Sequence, residues 1–206
     1  MKLFLCSYFK RVAELIPKAF GECSGKKVCY IPTASIPEPN KEYLQKSKEA
    51  FTKLGMVIVE LEVHTASKEE INQKITECDL IFVAGGNTFF LLQELKESGA
   101  YDIIDHEVKN GKFYIGESAG TIIACKDIEY AGLVDPIEEG PKLNGNYSSF
   151  GFVNYFVLPH YTCEPFKEAC EKVIKQYGEK LDLRPITNSQ VVFAENDKFE
   201  VWTANQ

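Results

Sequence analysis

The sequence predicts an α/β protein with three layers, in which a mostly parallel sheet carries helices on both faces. Apolar runs of strand length alternate with amphipathic stretches of helical period from the start of the chain. Several runs, such as Leu80-Ile81-Phe82-Val83, are continuously apolar, which is typical of strands buried on both sides. The chain has 206 residues, enough for a sizeable core, so we expect residues 1–206 to form a single domain.

The first half of the chain alternates between strands and helices. Pro17 predicts a kink in the first helix because proline removes a helical hydrogen bond, and Gly55 favours the end of the second. The predicted elements are strand 2–6, helix 8–20, strand 27–31, helix 41–54, strand 56–61, helix 69–77, strand 79–83, helix 88–97, helix 101–110 and strand 112–115.

The second half is less regular. An apolar helix is predicted to begin at Thr121, and residues 127–147 are rich in Gly, Pro, Asn and Glu, so they form a surface excursion or a lid. The remaining predicted elements are a strand at 152–158, an amphipathic helix at 165–177, and short strands within 185–202 around a turn at Asn196-Asp197.

Composition excludes several classes of function. The net charge is −7 and no Lys/Arg cluster occupies one helix face, so we expect no nucleic-acid partner. No apolar run approaches the length of a membrane span, so we expect no membrane partner. The seven cysteines are scattered without a C-x-x-C pair, which favours a reducing cytoplasm. Three histidines without metal-ligand spacing predict no metal site.

The most informative segment is 116–120, Gly-Glu-Ser-Ala-Gly, between the apolar run 113–115 and the predicted helix. A serine between a strand and a helix in this pattern lies on a sharp turn with its hydroxyl exposed, and the flanking glycines remove the Cβ atoms that would obstruct the turn. We therefore predict a nucleophile elbow with Ser118 at its apex.

A serine hydroxyl needs a neighbouring base, and histidine suits that role near neutral pH. His106 lies between two acidic residues on a predicted helix and is expected to be solvated, whereas His64 runs into a predicted helix cap. His160 directly follows an apolar strand. We therefore interpret His160 as the base.

Acyl transfer also needs donors for the oxyanion and a group that orients the base. The N–H of Ala119 follows the nucleophile, and Gly86 in the loop 84–87 is the best second donor. The orienting group is left open by the residues alone: Asp135 gives the chain order Ser-Asp-His, and the other choices lie downstream of His160. They are Asn188, Glu195 and Asp197.

Three segments together resemble peptidase E, the aspartyl dipeptidase family of serine peptidases related to cyanophycinase. They are 84–89 (Ala-Gly-Gly-Asn-Thr-Phe), 114–120 (Tyr-Ile-Gly-Glu-Ser-Ala-Gly) and 159–162 (Pro-His-Tyr-Thr). The resemblance implies a class I glutamine-amidotransferase-like fold, Ser118 as nucleophile, His160 as base and no cofactor. It also implies removal of an N-terminal aspartate from short peptides, with Asn87 and Thr88 of the first segment near the substrate.

The chain departs from the family pattern in two places. Asn188 stands where the family usually has a glutamate after a proline, which bears on catalytic rate. Residues 126–132 replace a Thr-Asn-Asp stretch that typically follows the elbow, which bears on selectivity for aspartate.

We therefore expect a cytoplasmic serine peptidase, monomeric or homodimeric, that cleaves small peptides through an acyl-enzyme with Ser118, His160 and Asn188. One alternative is an esterase of α/β-hydrolase type that uses Asp135 as the acid. Another is a binding or sensor protein that keeps the fold without efficient chemistry.

Overall fold

A seven-stranded sheet lies at the centre of the protein in a computed structural model, which describes residues 1–196 and 198–205. The order across it is β3-β2-β4-β5-β1-β8-β9, and a separate small sheet pairs β6 with β7. The strands are β1 (Lys2–Cys6), β2 (Lys27–Ile31), β3 (Val57–Glu60), β4 (Leu80–Val83), β5 (Phe113–Glu117), β6 (Phe156–Leu158), β7 (Leu183–Pro185), β8 (Gln190–Glu195) and β9 (Lys198–Thr203). Neighbours among β1 to β5 pair in parallel, whereas β8 and β9 form antiparallel pairs. The predicted mostly parallel sheet is confirmed.

Helices cover both faces of this sheet. They are α1 (Phe9–Val12), α2 (Ile16–Phe20), α3 (Glu42–Lys53), α4 (Lys68–Glu77), α5 (Thr88–Ser98), α6 (Ala100–Lys109), α7 (Ala119–Ile122) and α8 (Lys167–Tyr177). Alternate residues of β1 enter two different apolar layers: Leu3 and Leu5 join the layer of α4 to α8, whereas Phe4 and Cys6 join that of α1 to α3. Burial on both sides explains why the central strands are continuously apolar.

Two predicted elements differ from the structure, and a third is described only in part. The helix expected at 8–20 is broken into α1, a 3-10 turn and α2, and Pro17 lies in the first turn of α2, where its missing N–H costs little. The strand expected at 152–158 is only β6, because Phe152 donates its N–H to Ala124 O (2.9 Å) instead of to a strand. Of the predicted turn at Asn196-Asp197, Asn196 has a left-handed backbone (φ 49°), and Asp197 lies outside the described residues.

Residues 127–147 form short 3-10 turns that rest on α5. Lys142 donates its N–H to Gln93 Oε1 (2.8 Å), and Asn87 Nδ2 donates to Pro136 O (2.9 Å). Tyr130, near the start of this excursion, is buried and donates its hydroxyl to Val157 O (2.6 Å). The excursion is therefore anchored to the body of the protein by backbone and side-chain hydrogen bonds.

The parallel strands bring their carboxyl ends to one edge of the sheet. The segments that follow β1, β4 and β5 meet there, so this edge is where a ligand site is expected in an open α/β sheet. All seven cysteines are free thiols, and the helices within the described ranges are all too short or too polar to cross a bilayer. The single domain at 1–206 and the glutamine-amidotransferase-like class stay predictions.

Candidate active site

Ser118 lies on a strained turn between β5 and α7. Its backbone has φ 50° and ψ −108°, a region that side-chain-bearing residues rarely occupy. The turn is held because Ser118 N donates to Cys6 O (2.9 Å), and the Thr121 hydroxyl lies 2.7 Å from both Cys6 O and Gly116 O. Because α7 is a single turn, its free N-terminal amides matter here more than a long-helix dipole.

Gly116 and Gly120 allow the backbone segments of the elbow to pack closely. A Cβ on Gly116 would lie 2.4 Å from Gly120 O, and a Cβ on Gly120 would lie 2.1 Å from Val83 O. Both distances are far below contact, so the strand, the turn and the one-turn helix approach each other only where no side chain intervenes. The sequence pattern and this packing have the same physical cause.

His160 contacts the serine directly. His160 Nε2 lies 2.9 Å from Ser118 Oγ, and His160 Nδ1 lies 2.7 Å from Asn188 Oδ1. An amide oxygen can only accept, so Nδ1 carries the proton and Nε2 is left to accept the serine proton. Burial lowers the pKa of His160 to about 4, partly offset by the hydrogen bond to Asn188. At neutral pH the imidazole is uncharged and can act as a base.

The backbone around His160 is fixed by contacts from other segments. His160 has φ 62° and Thr162 φ 60°, both left-handed. His160 N donates to Ser7 Oγ (3.0 Å), Tyr161 N donates to Ile186 O (3.0 Å), and the Phe166 ring stacks on the imidazole at 4.5 Å between centroids. Backbone strain of this kind persists when the surroundings determine it, and it is concentrated at functional sites.

Ser7 was not predicted from the sequence. It is buried, follows β1 directly, and its hydroxyl lies within 3.2 Å of both Ile186 O and Thr187 O. It therefore joins the His160 loop to the segment that carries Asn188. Its position at the carboxyl end of β1 was the available signal, because β1 lies next to β5.

Of the four residues considered for orienting the base, Asn188 is the one that contacts His160. Asp135 Oδ2 instead accepts hydrogen bonds from the N–H (3.0 Å) and the hydroxyl of Thr88. Glu195 pairs with Lys2 (3.3 Å) at the opposite end of β8 from the site. Asp197 lies outside the described residues. The arrangement that the esterase alternative needs, with Asp135 on the imidazole, is not the one observed.

Two backbone N–H groups near Ser118 are free to bind an anion. Among the residues that the structure describes, no acceptor receives the N–H of Ala119 or of Gly86. Gly86 has φ 136°, and a Cβ there would lie 2.1 Å from Ala34 O, so this loop lies tightly against the segment after β2. A Cβ on the neighbouring Gly85 would lie 3.1 Å from Ser118 Cβ, which places the loop beside the serine.

Asn87 and Thr88 are occupied by contacts within the protein. Asn87 is 4% exposed; its Oδ1 accepts from Phe90 N (2.8 Å) as the N-cap of α5, and its amide donates to Pro136 O. Thr88 is fully buried and holds Asp135. These side chains therefore position residues 135–136, and the expected contact of Asn87 and Thr88 with substrate stays a prediction.

A cavity of about 220 Å³ opens over Ser118 and His160. Its lining includes acidic side chains that the sequence analysis did not assign to substrate contact. These are Glu38, Glu117, Asp135 and Glu164. They come from four separate segments, so only the folded chain brings them together. Elsewhere, His64 pairs with Glu94 (2.7 Å) and the exposed His106 contacts Asn110 (2.9 Å), both away from this cavity.

Burial changes the protonation of two of these carboxyl groups. It raises the pKa of Glu117 to about 8, although hydrogen bonds from the N–H groups of Phe9 and Gly85 oppose the shift. It raises the pKa of Asp135 to about 6, opposed by the hydrogen bonds from Thr88. At neutral pH Glu117 is therefore mainly protonated and Asp135 mainly ionised. Within the described ranges, no group of three His, Cys, Asp or Glu side chains could hold a metal ion.

Comparisons with known proteins match the chain along nearly its whole length. The model of Peptidase family S51 matches residues 3–202. An uncharacterized peptidase of Pasteurella multocida is 41% identical over 196 residues, which cover 95% of this chain and 94% of that protein. Peptidase E of Salmonella arizonae is 32% identical over 71% of this chain and 61% of that protein. A crystal structure at 1.5 Å of a candidate peptidase E from Listeria monocytogenes EGD-e is 39% identical, with a TM-score of 0.94, over 99% of this chain and 98% of that one.

Proposed function

The chain belongs to peptidase family S51, and from that premise we propose that it is a serine-type exopeptidase that cleaves short peptides through an acyl-enzyme. The observation that carries the proposal is the continuous hydrogen-bonded series from Ser118 Oγ through the imidazole of His160 to Asn188 Oδ1, at 2.9 and 2.7 Å. A nucleophile, a base and a group that orients the base in this geometry are what acyl transfer needs.

In the proposed reaction, Ser118 Oγ attacks the scissile carbonyl while His160 Nε2 takes the hydroxyl proton. The N–H groups of Gly86 and Ala119 hold the oxyanion of the tetrahedral intermediate. When this intermediate collapses, His160 returns the proton to the leaving amine, and the acyl group stays on Ser118. Water then attacks the ester with His160 again as base, which releases the acid and restores the serine.

Asn188 gives this site a distinctive weakness. It holds the Nδ1 proton in place, but it carries no charge to stabilise the imidazolium that forms during both proton transfers. We therefore expect a slower enzyme than one with a carboxylate at this position. The small buried site suits short peptides, and the free cysteines favour a reducing compartment such as the cytoplasm.

The direct test is labelling with a fluorophosphonate probe, followed by a dipeptide panel that includes Asp-X. We expect the wild-type protein to react at Ser118 and the Ser118→Ala variant to remain unlabelled. Turnover by the variant should fall by about 10⁴-fold or more. Equal turnover by the two proteins, or ligand binding without any labelling of the wild type, would favour the non-catalytic alternative.

A further inference from the structure

The cavity beside Ser118 has an unbalanced charge. Four of its lining residues carry carboxyl groups, of which Glu117 is mainly protonated at neutral pH, and the lining contains no Lys or Arg among the residues that the structure describes. Lys46 lies close enough to influence Tyr8 of the lining, but its ammonium is already paired with Glu42 at 2.6 Å. A pocket built to bind an aspartate side chain would be expected to offer it a cation or several N–H donors.

Asp135 is the carboxylate most clearly prepared for a ligand. Thr88 donates two hydrogen bonds, and both go to Oδ2. Oδ1 has no hydrogen-bond partner in the described part of the chain, although the group lines the cavity. The fixed orientation of the carboxylate therefore leaves one oxygen for a donor that comes from outside the protein.

Glu38, which also lines the cavity, repeats this pattern. Its Oε2 accepts the hydroxyl of Tyr43 at 2.6 Å, whereas no bond to Oε1 is formed by the residues described. The charge of Glu38 is one of the causes that raise the pKa of Asp135, which indicates that the Glu38 carboxylate lies close enough to repel that of Asp135. A cation between them would relieve that repulsion.

Glu117 supplies an independent indication that the cavity receives a ligand. The residue is only 2% exposed and lines the cavity. Its Oε1 accepts the N–H of Phe9 at 2.8 Å and the N–H of Gly85 also lies near the carboxyl group, but Oε2 is buried and completes no hydrogen bond within residues 1–196 and 198–205. A buried polar atom that lacks a partner is costly, so such atoms commonly mark places where a water or a ligand completes the bonding.

Resting on the function proposed above, we propose that this cavity selects peptides with a free α-ammonium group. It favours a basic side chain on the N-terminal residue and rejects an acidic one. The free α-ammonium group binds between Asp135 and Glu38, and a lysine or arginine side chain gains further from the carboxylate of Glu164. An N-terminal aspartate brings a second carboxylate into a cavity that already holds unpaired ones, so its binding is opposed by like-charge repulsion. Asp135 and Glu38 are thus specificity-determining residues.

The test compares kcat/KM for Lys-Leu, Ala-Leu and Asp-Leu at pH 7.5 and low salt. We expect the order Lys-Leu, Ala-Leu, Asp-Leu, with at least about a tenfold difference between the first and the last. N-acetyl-Ala-Leu, which lacks the α-ammonium group, should not be cleaved. A preference for Asp-Leu would overturn the proposal.

Two isosteric variants test whether the charges of Asp135 and Glu38 determine the substrate preference. Asp135→Asn and Glu38→Gln keep the hydrogen bonds to Thr88 and Tyr43 but remove the charges, so each should reduce the Lys-Leu to Asp-Leu ratio toward one. Glu195→Gln is the matched control, because it removes a carboxylate that lies away from the cavity, and its ratio should equal that of the wild type. An unchanged ratio in both cavity variants would contradict the assignment.

Equilibrium binding separates this inference from the catalytic proposal. Calorimetry of Ser118→Ala with lysinamide and with aspartate measures selection without turnover, and lysinamide should bind at least about tenfold more tightly. Tighter binding of aspartate, or no binding of either probe, would refute the selectivity. If lysinamide binds as expected while the wild-type protein neither labels nor turns over any dipeptide, the selectivity stands and the proposed catalysis fails.

Discussion

The two walls of the cavity differ in how far their polar groups are satisfied. On one wall, Ser7, His160 and Asn188 form a closed set of hydrogen bonds that fixes the imidazole against Ser118. On the other, Asp135 and Glu38 are each held through one carboxyl oxygen, and the second oxygen accepts no hydrogen bond from residues 1–196 or 198–205. Under the proposed function, this difference means that the groups that move protons are fixed in advance, whereas the groups that recognise the substrate keep bonding capacity for it.

We call the wall formed by Ser7, His160 and Asn188 the closed wall. The largest effect is expected when the proposed base is removed from it. For His160→Ala we expect kcat to fall by about 10⁴-fold or more, because the serine then has no group to take its proton. The exposed histidine of α6 provides a matched control, and His106→Ala should keep wild-type kcat. Steady-state kinetics on the best dipeptide decides the outcome; a loss below tenfold in His160→Ala would mean that another group is the base.

Gly86 also lines the cavity; its N–H is bonded to no residue in the described ranges, while its backbone packs tightly against Ala34. Gly86→Ala should lower the free energy of unfolding by about 4 kcal/mol, because it adds strain at φ 136° (about 1–3 kcal/mol) to a clash with Ala34 O. Gly111→Ala separates the two causes: Gly111 has φ 102° but nothing within 4 Å of an added Cβ, so only about 1–2 kcal/mol should be lost. Urea unfolding of both variants measures the difference, and equal losses would show that close packing of the loop is unimportant.

The buried carboxyl group of Glu117, which also lines the cavity, tests whether an incompletely bonded polar group there lowers stability. Its pKa is raised from 4.5 to about 8 by burial, so the folded state holds a proton that the unfolded state releases between these values. Stability should therefore fall as pH rises from about 5 to 8, and Glu117→Gln should remove this fall. Urea unfolding should show the variant gaining about 3 kcal/mol relative to wild type between pH 5 and pH 8. A constant difference across that range would mean that the carboxyl group is not held protonated.

The sequence predicted the structure best where a local physical requirement determines which residue type can stand at a position. Continuous apolar runs predicted the parallel strands because both faces of the sheet are covered, and the glycines around Ser118 predicted the elbow because only hydrogen atoms fit there. His160 was identified because it follows a strand end. Each of these signals is readable within a few neighbouring residues.

The residues that the sequence did not identify depend on long-range packing. Glu38 and Glu164 lie in irregular segments whose approach to Ser118 is set by the whole fold, and nothing local distinguishes them from surface acids. The contacts that the side chains of Asn87 and Thr88 make within the protein were missed for a related reason. Their side chains cap a helix and hold Asp135, and neither partner could be inferred from chain spacing.

The smallest expected effect concerns the uncharged member of the closed wall. Asn188→Ala should lower kcat by about 10–100-fold, because the imidazole loses the acceptor that orients its Nδ1 proton. Asn188→Asp should instead keep an acceptor for the Nδ1 proton and add a negative charge beside the imidazole. A carboxylate beside the imidazole raises its pKa from about 4, so the pH below which kcat/KM declines should move upward.

The pH profile of kcat/KM therefore distinguishes an orienting amide from a merely structural one. In the wild type the acid limb should lie near pH 4, where His160 becomes protonated and can no longer accept the proton of Ser118. In Asn188→Asp it should lie at least about one pH unit higher, with a plateau rate equal to or above the wild type because the imidazolium now has a counter-charge. Superimposable profiles for the two proteins would show that residue 188 does not influence the proton transfer. Ser118 and His160 would then be the groups that take part in it.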